Sequence, residues 1–320
     1  MIIRAPNHLG DLVMALPALS AGRPDAVVVT RWLAPLVELA GFEAIPFDGG
    51  ARGFARTVLR LRRARYAHGV LLTPSFSSAL MFRLGGVRAR RGTDTDNRAL
   101  LLTARVDRTL LARNHRASAY WLLVNGDPAG ERPVPRLAIP NALRAEFRAR
   151  LGSTAPLVGI CPGSNAASRT WPAERFAVVA RELAKLATVV VFGAASEQNR
   201  TRTVAGDVAI DMGGRTDLRL LAAGLAECRV VISNDSGPLH LAAAVGARTI
   251  SVWGAGDPSR TGPPDGHVIV RDQALPCLEC VKNRCPRSGP GYILPDAYNE
   301  CLHLIGVEDV MNAARIMVSS

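Results

Sequence analysis

Short apolar runs alternate with amphipathic stretches along most of the chain. Runs typical of buried strands lie at residues 1–4, 26–30, 44–47, 69–73, 157–161, 188–192, 208–212, 229–233 and 249–253. Apolar positions recur with helical spacing between the strands of the first half, at residues 11–21, 32–40, 52–65 and 75–84. Wholly apolar strands that are separated by helices are typical of parallel sheets covered on both faces. The pattern therefore predicts an α/β protein built from βαβ units.

The chain divides at residues 128–140, where four prolines stand among polar residues, as expected of a linker. With roughly 150 residues per domain, a chain of 320 residues allows two domains, which we place at residues 1–140 and 141–320. Each of them carries its own βα series. We therefore expect two Rossmann-like parallel-sheet domains facing a central cleft, where ligands of such folds bind.

Positive charge is concentrated in the first domain. The chain has 39 Lys and Arg against 27 Asp and Glu, a net charge of +12. Residues 51–117 hold 15 Arg, no Lys and 3 Asp, which leaves 24 basic and 24 acidic residues elsewhere. A field localised in this way favours an anionic partner, whether a nucleic acid, acidic lipid headgroups or a multiply charged substrate.

The composition also bears on the compartment. No run approaches the ~18–20 uninterrupted apolar residues of a membrane span. Residues 1–8 lack a basic segment followed by an apolar one, which is the pattern of an export signal. We therefore expect a cytoplasmic protein, and its 48% apolar residues argue against disorder.

Three loops at the predicted carboxyl ends of strands carry candidate chemistry, because ligands of open α/β sheets bind at this edge. The first spans residues 7–11, where Gly10 permits close backbone approach and Asp11 opens a helix. Asp11 is either a helix N-cap or a functional carboxylate favoured by the helix dipole. The second spans residues 162–172, whose small residues leave amides free for phosphate and whose Arg169 adds a charge. A plain strand–helix connection is the alternative for this loop.

The third loop, residues 233–241, follows an apolar strand and enters a helix. Asp235 and Ser236 can satisfy amides at the helix start, and Gly237 leaves room for a diphosphate. His240 either donates to a phosphate oxygen or packs in the core. These loops match neither the Walker A motif nor Gly-x-Gly-x-x-Gly, which argues against nucleotide hydrolysis and dinucleotide redox chemistry.

Together these motifs resemble glycosyltransferase family 9, the lipopolysaccharide heptosyltransferases. In chain order they are HLGDLVMALPAL (residues 8–19), PGS (162–164), WPAERF (171–176), GGRT (213–216), SNDSGPLH (233–240) and WGAGDP (253–258). The resemblance is closest to heptosyltransferase II and implies a GT-B architecture, with the acceptor mainly in the first domain and the donor mainly in the second. It implies an inverting transfer of heptose from ADP-L-glycero-D-manno-heptose to the inner core of lipid A-linked oligosaccharide, with no metal needed for catalysis.

Carried over by position, the general base of the family falls on Asp11. The donor-binding positions fall on Ser164, Arg169, Asp235, Ser236, Gly237 and His240. Arg169, where many relatives have Lys, is expected to stabilise the charge that develops on the leaving ADP, together with the amides of Ser236 and Gly237.

The Arg-rich segment is assigned to the acceptor side. Arg60, Arg62 and Arg63 are expected to meet the carboxylates and phosphates of a Kdo-lipid A core acceptor. The same face is expected to meet acidic headgroups, so that the protein lies peripherally at the inner leaflet of the inner membrane.

Cysteines are the candidate metal ligands. Cys161 and Cys228 lie in or beside apolar strands and are expected to be buried packing residues. The other four are Cys277, Cys280, Cys285 and Cys301. They suit a closed tetrathiolate site for structural zinc or an iron–sulfur cluster, or they are reduced thiols of a binding loop. Asp94-Thr95-Asp96 has the Asp-x-Asp form of a metal–diphosphate site, but such tripeptides arise by chance and the GT-B architecture needs no such metal.

Three other functions stay open at the sequence level. One is a family 9 sugar transferase with a different donor or acceptor, and another is a sugar-nucleotide epimerase on the same architecture. The third is a basic nucleic-acid-binding protein, but the Arg-rich segment has few interleaved aromatic residues and no binding motif. We therefore expect no nucleic-acid partner.

Overall fold

The computed structural model describes residues 1–269, 275–287 and 299–319, apart from the side chains of residues 110, 111 and 319. The chain forms two compact units, Met1–Ala138 and Ile139–Ser320. The boundary between them lies two residues before the one expected from the prolines.

The first unit contains a parallel six-stranded sheet with the order β3-β2-β1-β4-β5-β6. Its strands are β1 (Ile2–Arg4), β2 (Ala26–Thr30), β3 (Ala44–Phe47), β4 (His68–Leu71), β5 (Ala89–Thr93) and β6 (Ala104–Val106). Its helices are α1 (Leu9–Gly22), α2 (Ala34–Leu39), α3 (Gly50–Ala64), α4 (Phe76–Leu84), α5 (Arg108–Arg113) and α6 (Arg116–Asn125).

The second unit repeats the plan with the order β12-β11-β10-β7-β8-β9, again all parallel. Its strands are β7 (Leu157–Cys161), β8 (Thr188–Val191), β9 (Ile210–Asp211), β10 (Cys228–Asn234), β11 (Arg248–Val252) and β12 (His267–Ile269). Its helices are α7 (Asn141–Leu151), α8 (Ala173–Leu183), α9 (Gln198–Ala205), α10 (Leu218–Glu227), α11 (Gly237–Ala244), α12 (Pro258–Thr261), α13 (Glu300–His303) and α14 (Val307–Ser319).

The central strands are apolar because both faces of each sheet are covered. Ile232 of β10 lies in register with Ile160 of β7 and Ile250 of β11, and all three side chains are fully buried. β-branched residues such as these fit a pleated, packed surface well. The prediction of an α/β fold with two parallel, Rossmann-like sheets is confirmed.

The order of the strands fixes where a ligand can bind. In each unit the chain builds one half of the sheet outward from the first strand and then returns to build the other half. The two halves meet between β1 and β4 in the first unit and between β7 and β10 in the second. Crevices outside the carboxyl ends of strands at such a switch point are the usual ligand sites of this fold.

The apolar pattern of the sequence does not predict β5 and β6, because these two strands are rich in arginine. Arg90 of β5 and Arg98 after it are buried rather than exposed. The Nε atom of Arg98 donates to the carbonyl of Thr93 at 2.7 Å, and that of Arg90 donates to the carbonyl of Leu101 at 2.6 Å. Burial lowers the pKa of Arg98 to about 10, so the guanidinium stays charged at neutral pH. Part of the positive charge therefore lies inside the first unit, where it donates to backbone carbonyls.

The loop that carries Asp94 and Asp96 has a structural role. The Asp96 carboxylate accepts a hydrogen bond from the backbone N–H of Phe76 at 2.6 Å, at the start of α4. Both carboxylates also favour the charged form of the buried Arg98. Both aspartates therefore contribute to the structure of this loop.

Candidate functional site

Asp11 lies in the first turn of α1, at the carboxyl edge of the first sheet. The N-cap of this helix is His8, which makes no side-chain capping bond, and Asp11 is the third helical residue. Its carboxylate instead faces α6, where the Tyr120 hydroxyl donates to Oδ1 at 2.8 Å. The Nε of Arg116 lies 3.7 Å from the same oxygen. The N-cap interpretation is therefore wrong. The carboxylate of Asp11 is partly exposed and is bound by Tyr120.

A buried arginine shapes the loop that leads to Asp11. Arg4, the last residue of β1, is almost fully buried and donates to the carbonyls of Ala5 at 2.7 Å and Val28 at 3.2 Å. It also donates to the side-chain oxygen of Asn7. Burial lowers the pKa of Arg4 to about 10, so it remains a cation at neutral pH. Because it ties residues 5 and 7 to the sheet, Arg4 fixes the backbone just before the helix.

Asn234 organises the candidate donor site of the second unit. It is fully buried at the end of β10. Its Nδ2 donates to the carbonyl of Pro162 at 2.7 Å, and its Oδ1 accepts from the backbone N–H of Trp171 at 3.0 Å. One side chain thus holds both ends of the loop at residues 162–172. Sequence reasoning missed this role, although a polar residue directly after an apolar strand was a signal for it.

Asp235, Arg169 and Ser164 lie together beside this clamp. Nη1 of Arg169 is 3.3 Å from Oδ2 of Asp235, and the Ser164 hydroxyl donates to the Asp235 carbonyl at 3.3 Å. The Asp235 side chain is only 6% exposed and that of Arg169 is 33% exposed. The cation therefore remains accessible while it balances a buried carboxylate. The predicted donor residues of the two loops are brought to one place.

The first turn of α11 belongs to the third loop that the sequence singles out. Its N-cap, Ser236, makes no side-chain capping bond, because its hydroxyl lies 3.1 Å from that of Ser233 instead. Gly237 begins the helix and Pro238 follows. Amides at such a terminus favour negative charge. His240 is buried one turn into the helix, with 7% of its surface exposed.

Carboxylates lie against two glycines of the site. A Cβ on Gly256 would fall 2.2 Å from Oδ2 of Asp235, and one on Gly163 would fall 1.9 Å from Oε1 of Glu197. The Glu197 carboxylate also accepts from the backbone N–H of Ala194 at 2.8 Å. Glu197 is a second carboxylate at this edge of the sheet, and the sequence analysis did not single it out.

The turn before Arg169 is hydrogen-bonded to the segment at residues 277–285, which carries three of the clustered cysteines. The backbone N–H of Ser168 donates to the carbonyl of Asn283 at 3.3 Å, and its hydroxyl donates to the carbonyl of Lys282. The side-chain amide of Asn299 donates to the carbonyl of Ala167 at 2.7 Å. The position of Arg169 therefore depends on residues more than 110 positions further along the chain.

The four clustered cysteines line one cavity together with Ser168 and Asn299. Burial raises the pKa of the Cys301 thiol to about 11, and the other three cysteines add to the shift. Within residues 1–269, 275–287 and 299–319, no three His, Cys, Asp or Glu side chains are arranged to hold a metal ion. The zinc or iron–sulfur site stays a prediction. Cys161 and Cys228 are buried, as expected.

The three arginines assigned to the acceptor lie at the end of α3 and differ in their contacts. Nη2 of Arg60 is 2.7 Å from Oε1 of Glu43, and Nε of Arg62 donates to the carbonyl of Leu84 at 2.6 Å. Arg63 is exposed. None of the helices in the described ranges is long and apolar enough to cross a membrane.

The fold and these sites define a class of enzyme. The structure of E. coli ADP-heptose LPS heptosyltransferase II matches with a TM-score of 0.82 and 23% identity, over 99% of this chain and 98% of that one. The structure of E. coli heptosyltransferase WaaC with ADP matches with a TM-score of 0.72 and 19% identity, over 98% of each chain. The architecture is that of GT-B glycosyltransferases.

The sequence comparison narrows the class to one family. The model of glycosyltransferase family 9 (heptosyltransferase) matches residues 54–289, and the chain belongs to this family. Among similar proteins, lipopolysaccharide heptosyltransferase 2 of Salmonella typhimurium is 28% identical over 302 residues, covering 83% of this chain and 86% of its own. The prediction of a glycosyltransferase is confirmed.

Proposed function

We propose that this enzyme transfers heptose from ADP-L-glycero-D-manno-heptose to the inner core of lipopolysaccharide. The observation that carries the proposal is the gathering of Arg169, Asp235 and the uncapped first turn of α11 at the switch point of the second sheet. A cation beside a helix N-terminus suits a sugar diphosphate. The sugar and the acceptor are inferred from the names of the relatives, lipopolysaccharide heptosyltransferase 2 and ADP-heptose LPS heptosyltransferase II.

The proposed role of the second unit is to hold the donor and stabilise the leaving group. Arg169 and the amides of Ser236 and Gly237 would contact the diphosphate, whose negative charge grows as the glycosidic bond breaks. Ser164, Asp235 and His240 would shape the pocket around the sugar and phosphates. The ADP bound in the WaaC structure supports an adenosine diphosphate donor.

The proposed role of Asp11 is that of general base. Its carboxylate takes the proton of the acceptor hydroxyl while the hydroxyl oxygen forms a bond to the anomeric carbon. The bond from that carbon to the diphosphate oxygen breaks, and ADP leaves from the opposite face. A single displacement of this kind inverts the anomeric centre. No step needs a metal ion.

An assay of ADP release tests the proposal. Full-length protein is given ADP-heptose with and without a Kdo-lipid A acceptor, and the same assay is run with UDP- and GDP-sugars. We expect acceptor-dependent ADP release from ADP-heptose alone. Consumption of the donor without acceptor would instead identify a sugar-nucleotide epimerase. A preference for another nucleotide sugar would identify a different transferase of the family.

We propose further that the outer face of α3 contacts the anionic acceptor and acidic lipids at the inner leaflet. Arg52, Arg56 and Arg63 recur on one side of this helix, opposite the buried Leu61. Leu59, which is 51% exposed, lies among them. Basic residues near a charged bilayer contribute ~1 kcal/mol each.

Sedimentation with vesicles tests this surface. Binding to phosphatidylglycerol vesicles should be lost in high salt and absent with phosphatidylcholine. The double substitution Arg52→Gln/Arg63→Gln should weaken binding about thirtyfold, from ~2 kcal/mol. Arg202→Gln/Arg219→Gln, in exposed positions of the second unit, is the matched control. Vesicle binding that high salt leaves unchanged would contradict the proposal, and a steep salt slope with duplex DNA would favour the nucleic-acid alternative.

Metal analysis of protein purified without oxygen tests the cysteine cavity. A structural zinc ion or iron–sulfur cluster predicts a fixed ratio of metal to chain that is lost in Cys301→Ser and kept in Cys228→Ala. Metal-free, fully active protein would leave the four thiols as reduced side chains of a supporting segment.

A further inference from the structure

One face of α6 is directed at the Asp11 carboxylate. Tyr120 and Arg116 are four residues apart and so lie on the same side of this helix. Both contact the same oxygen of Asp11, Tyr120 by a 2.8 Å hydrogen bond and Arg116 at 3.7 Å. Among the described residues these two are the ionisable groups in contact with the Asp11 carboxylate.

The Tyr120 hydroxyl is held as a permanent donor. The residue is only 6% exposed. Burial and the neighbouring charge of Asp11 raise the pKa of Tyr120 well above its ordinary value. A phenol that keeps its proton at working pH donates to the carboxylate and does not act as the base itself.

The two contacts distinguish the oxygens of Asp11. Oδ1 is engaged by the hydroxyl and faces the guanidinium, whereas no group in the described part of the chain donates a hydrogen bond to Oδ2. A carboxylate anchored through one oxygen has lost the freedom to rotate about its side-chain bonds. Such pre-organisation favours proton transfer, because the receiving atom need not be ordered during the reaction.

We propose that Tyr120 is a positioning residue that anchors Oδ1 of Asp11 so that Oδ2 receives the proton of the acceptor hydroxyl. Arg116 assists by its charge. This inference rests on the proposed role of Asp11 as general base. It adds a second helix, α6, to the machinery of the first unit.

The substitution Tyr120→Phe tests the proposal, because it removes the hydroxyl and keeps the buried ring. We expect kcat to fall about ten- to a hundredfold, as for the loss of a hydrogen bond to a charged group. The KM for the acceptor should change less than about twofold, because Tyr120 holds the base and is not proposed to touch the acceptor. The affinity for ADP should change less than about twofold, since the donor residues lie in the second unit. Tyr66→Phe, also in the first unit, is the matched control.

A second measurement does not need turnover. Tyr120→Phe should lower the Tm of the wild-type protein more than it lowers the Tm of the Asp11→Asn variant. In that variant the negative charge that the Tyr120 hydroxyl donates to is already lost. Equal shifts in both backgrounds would overturn the proposal. So would a wild-type kcat in Tyr120→Phe, or a fall in kcat accompanied by a similar rise in the KM of both substrates, which would mean a merely structural role.

The test separates this inference from the function on which it rests. If Asp11→Asn is inactive and Tyr120→Phe behaves like wild type, only the positioning role fails. If Asp11→Asn keeps its turnover, the proposed role of Asp11 fails and the positioning role with it. Arg116→Gln should lower kcat as Tyr120→Phe does, but by less, because Arg116 is more distant and 41% exposed.

Discussion

The substitution Asp11→Asn removes one charge and keeps the shape of the side chain. The new carboxamide would retain an oxygen that accepts from Tyr120, so the contact between α1 and α6 persists. The contact with Arg116 is lost as an ion pair, but both side chains are partly exposed, Arg116 at 41% and Asp11 at 29%. Asp11→Asn is therefore a test of the chemistry more than of the fold.

The expected magnitudes differ for stability and for catalysis. The ion pair contributes at most ~1 kcal/mol at this exposure, and a neutral acceptor weakens the Tyr120 hydrogen bond by about as much. The first unit should thus lose ~1–2 kcal/mol, a fall in Tm of a few degrees. Loss of a general base lowers turnover about a hundred- to ten-thousandfold, or ~2.7–5.4 kcal/mol in the barrier.

The assay measures ADP release at saturating donor and acceptor, with ADP affinity from calorimetry as the second readout. ADP should bind within about tenfold of wild type, because the residues proposed to contact it belong to the second unit. Asp127→Asn makes the same charge change at an exposed position of the first unit and should be neutral. Turnover within tenfold of wild type in Asp11→Asn would refute the reasoning.

Three further predictions concern the second unit. Arg169→Ala should weaken ADP about ten- to a hundredfold in calorimetry, because a charge-assisted contact is lost, whereas Arg219→Ala should not; ADP binding within twofold of wild type would count against the donor assignment. Gly256→Ala should displace Asp235, because Oδ2 of Asp235 would lie 2.2 Å from the new Cβ. We expect a lower Tm and a lower affinity for the donor, whereas Gly130→Ala, the control with open space around it, should be neutral. Burial opposes the ionisation of Glu227, but hydrogen bonds and charges from Arg148 and Arg144 outweigh burial and lower the pKa of Glu227. The ionised carboxylate therefore stabilises the folded state above the unfolded pKa, and this stabilisation is lost as pH falls through the folded pKa. Glu227→Gln should cost ~1–2 kcal/mol in denaturant titrations at pH 7 and little below the folded pKa; a cost that does not depend on pH would contradict this.

The sequence predicts most of the fold because the central strands are apolar on both faces. β2 and β8 each contain three consecutive buried valines, a pattern typical of strands covered on both faces. The apolar pattern does not predict β5, because arginines such as Arg90 and Arg91 are typical of the protein surface. The burial of Arg90 is explained only by the carbonyls that surround its side chain in the folded protein.

Site residues can be predicted from the sequence where their own loop marks them as functional. They cannot be predicted where their role depends on contact with a residue far away in the chain. Arg169 and Asp235 stand out in their loops, although 66 residues separate them. Tyr120 lies 109 residues from Asp11 and carries no local signal, since a tyrosine in an apolar helix is ordinarily a packing residue. Asn234 does carry a local signal, a polar residue after an apolar strand, but its partners are backbone atoms of another loop and cannot be predicted from the sequence.

The distribution of arginine gives the net charge of +12 a more specific meaning. Arg90 and Arg98 donate to carbonyls inside the first unit, Arg60 is paired with Glu43, and Arg116 faces Asp11. A count over residues 51–117 therefore overstates the field that a ligand meets. What remains at the surface of α3 is a shorter row, Arg52, Arg56 and Arg63, of which Arg56 lies 3.4 Å from Asp48. Because a row of this length contributes only a few kcal/mol at a membrane, binding there should be reversible and sensitive to salt, as transfer to a succession of acceptor molecules requires.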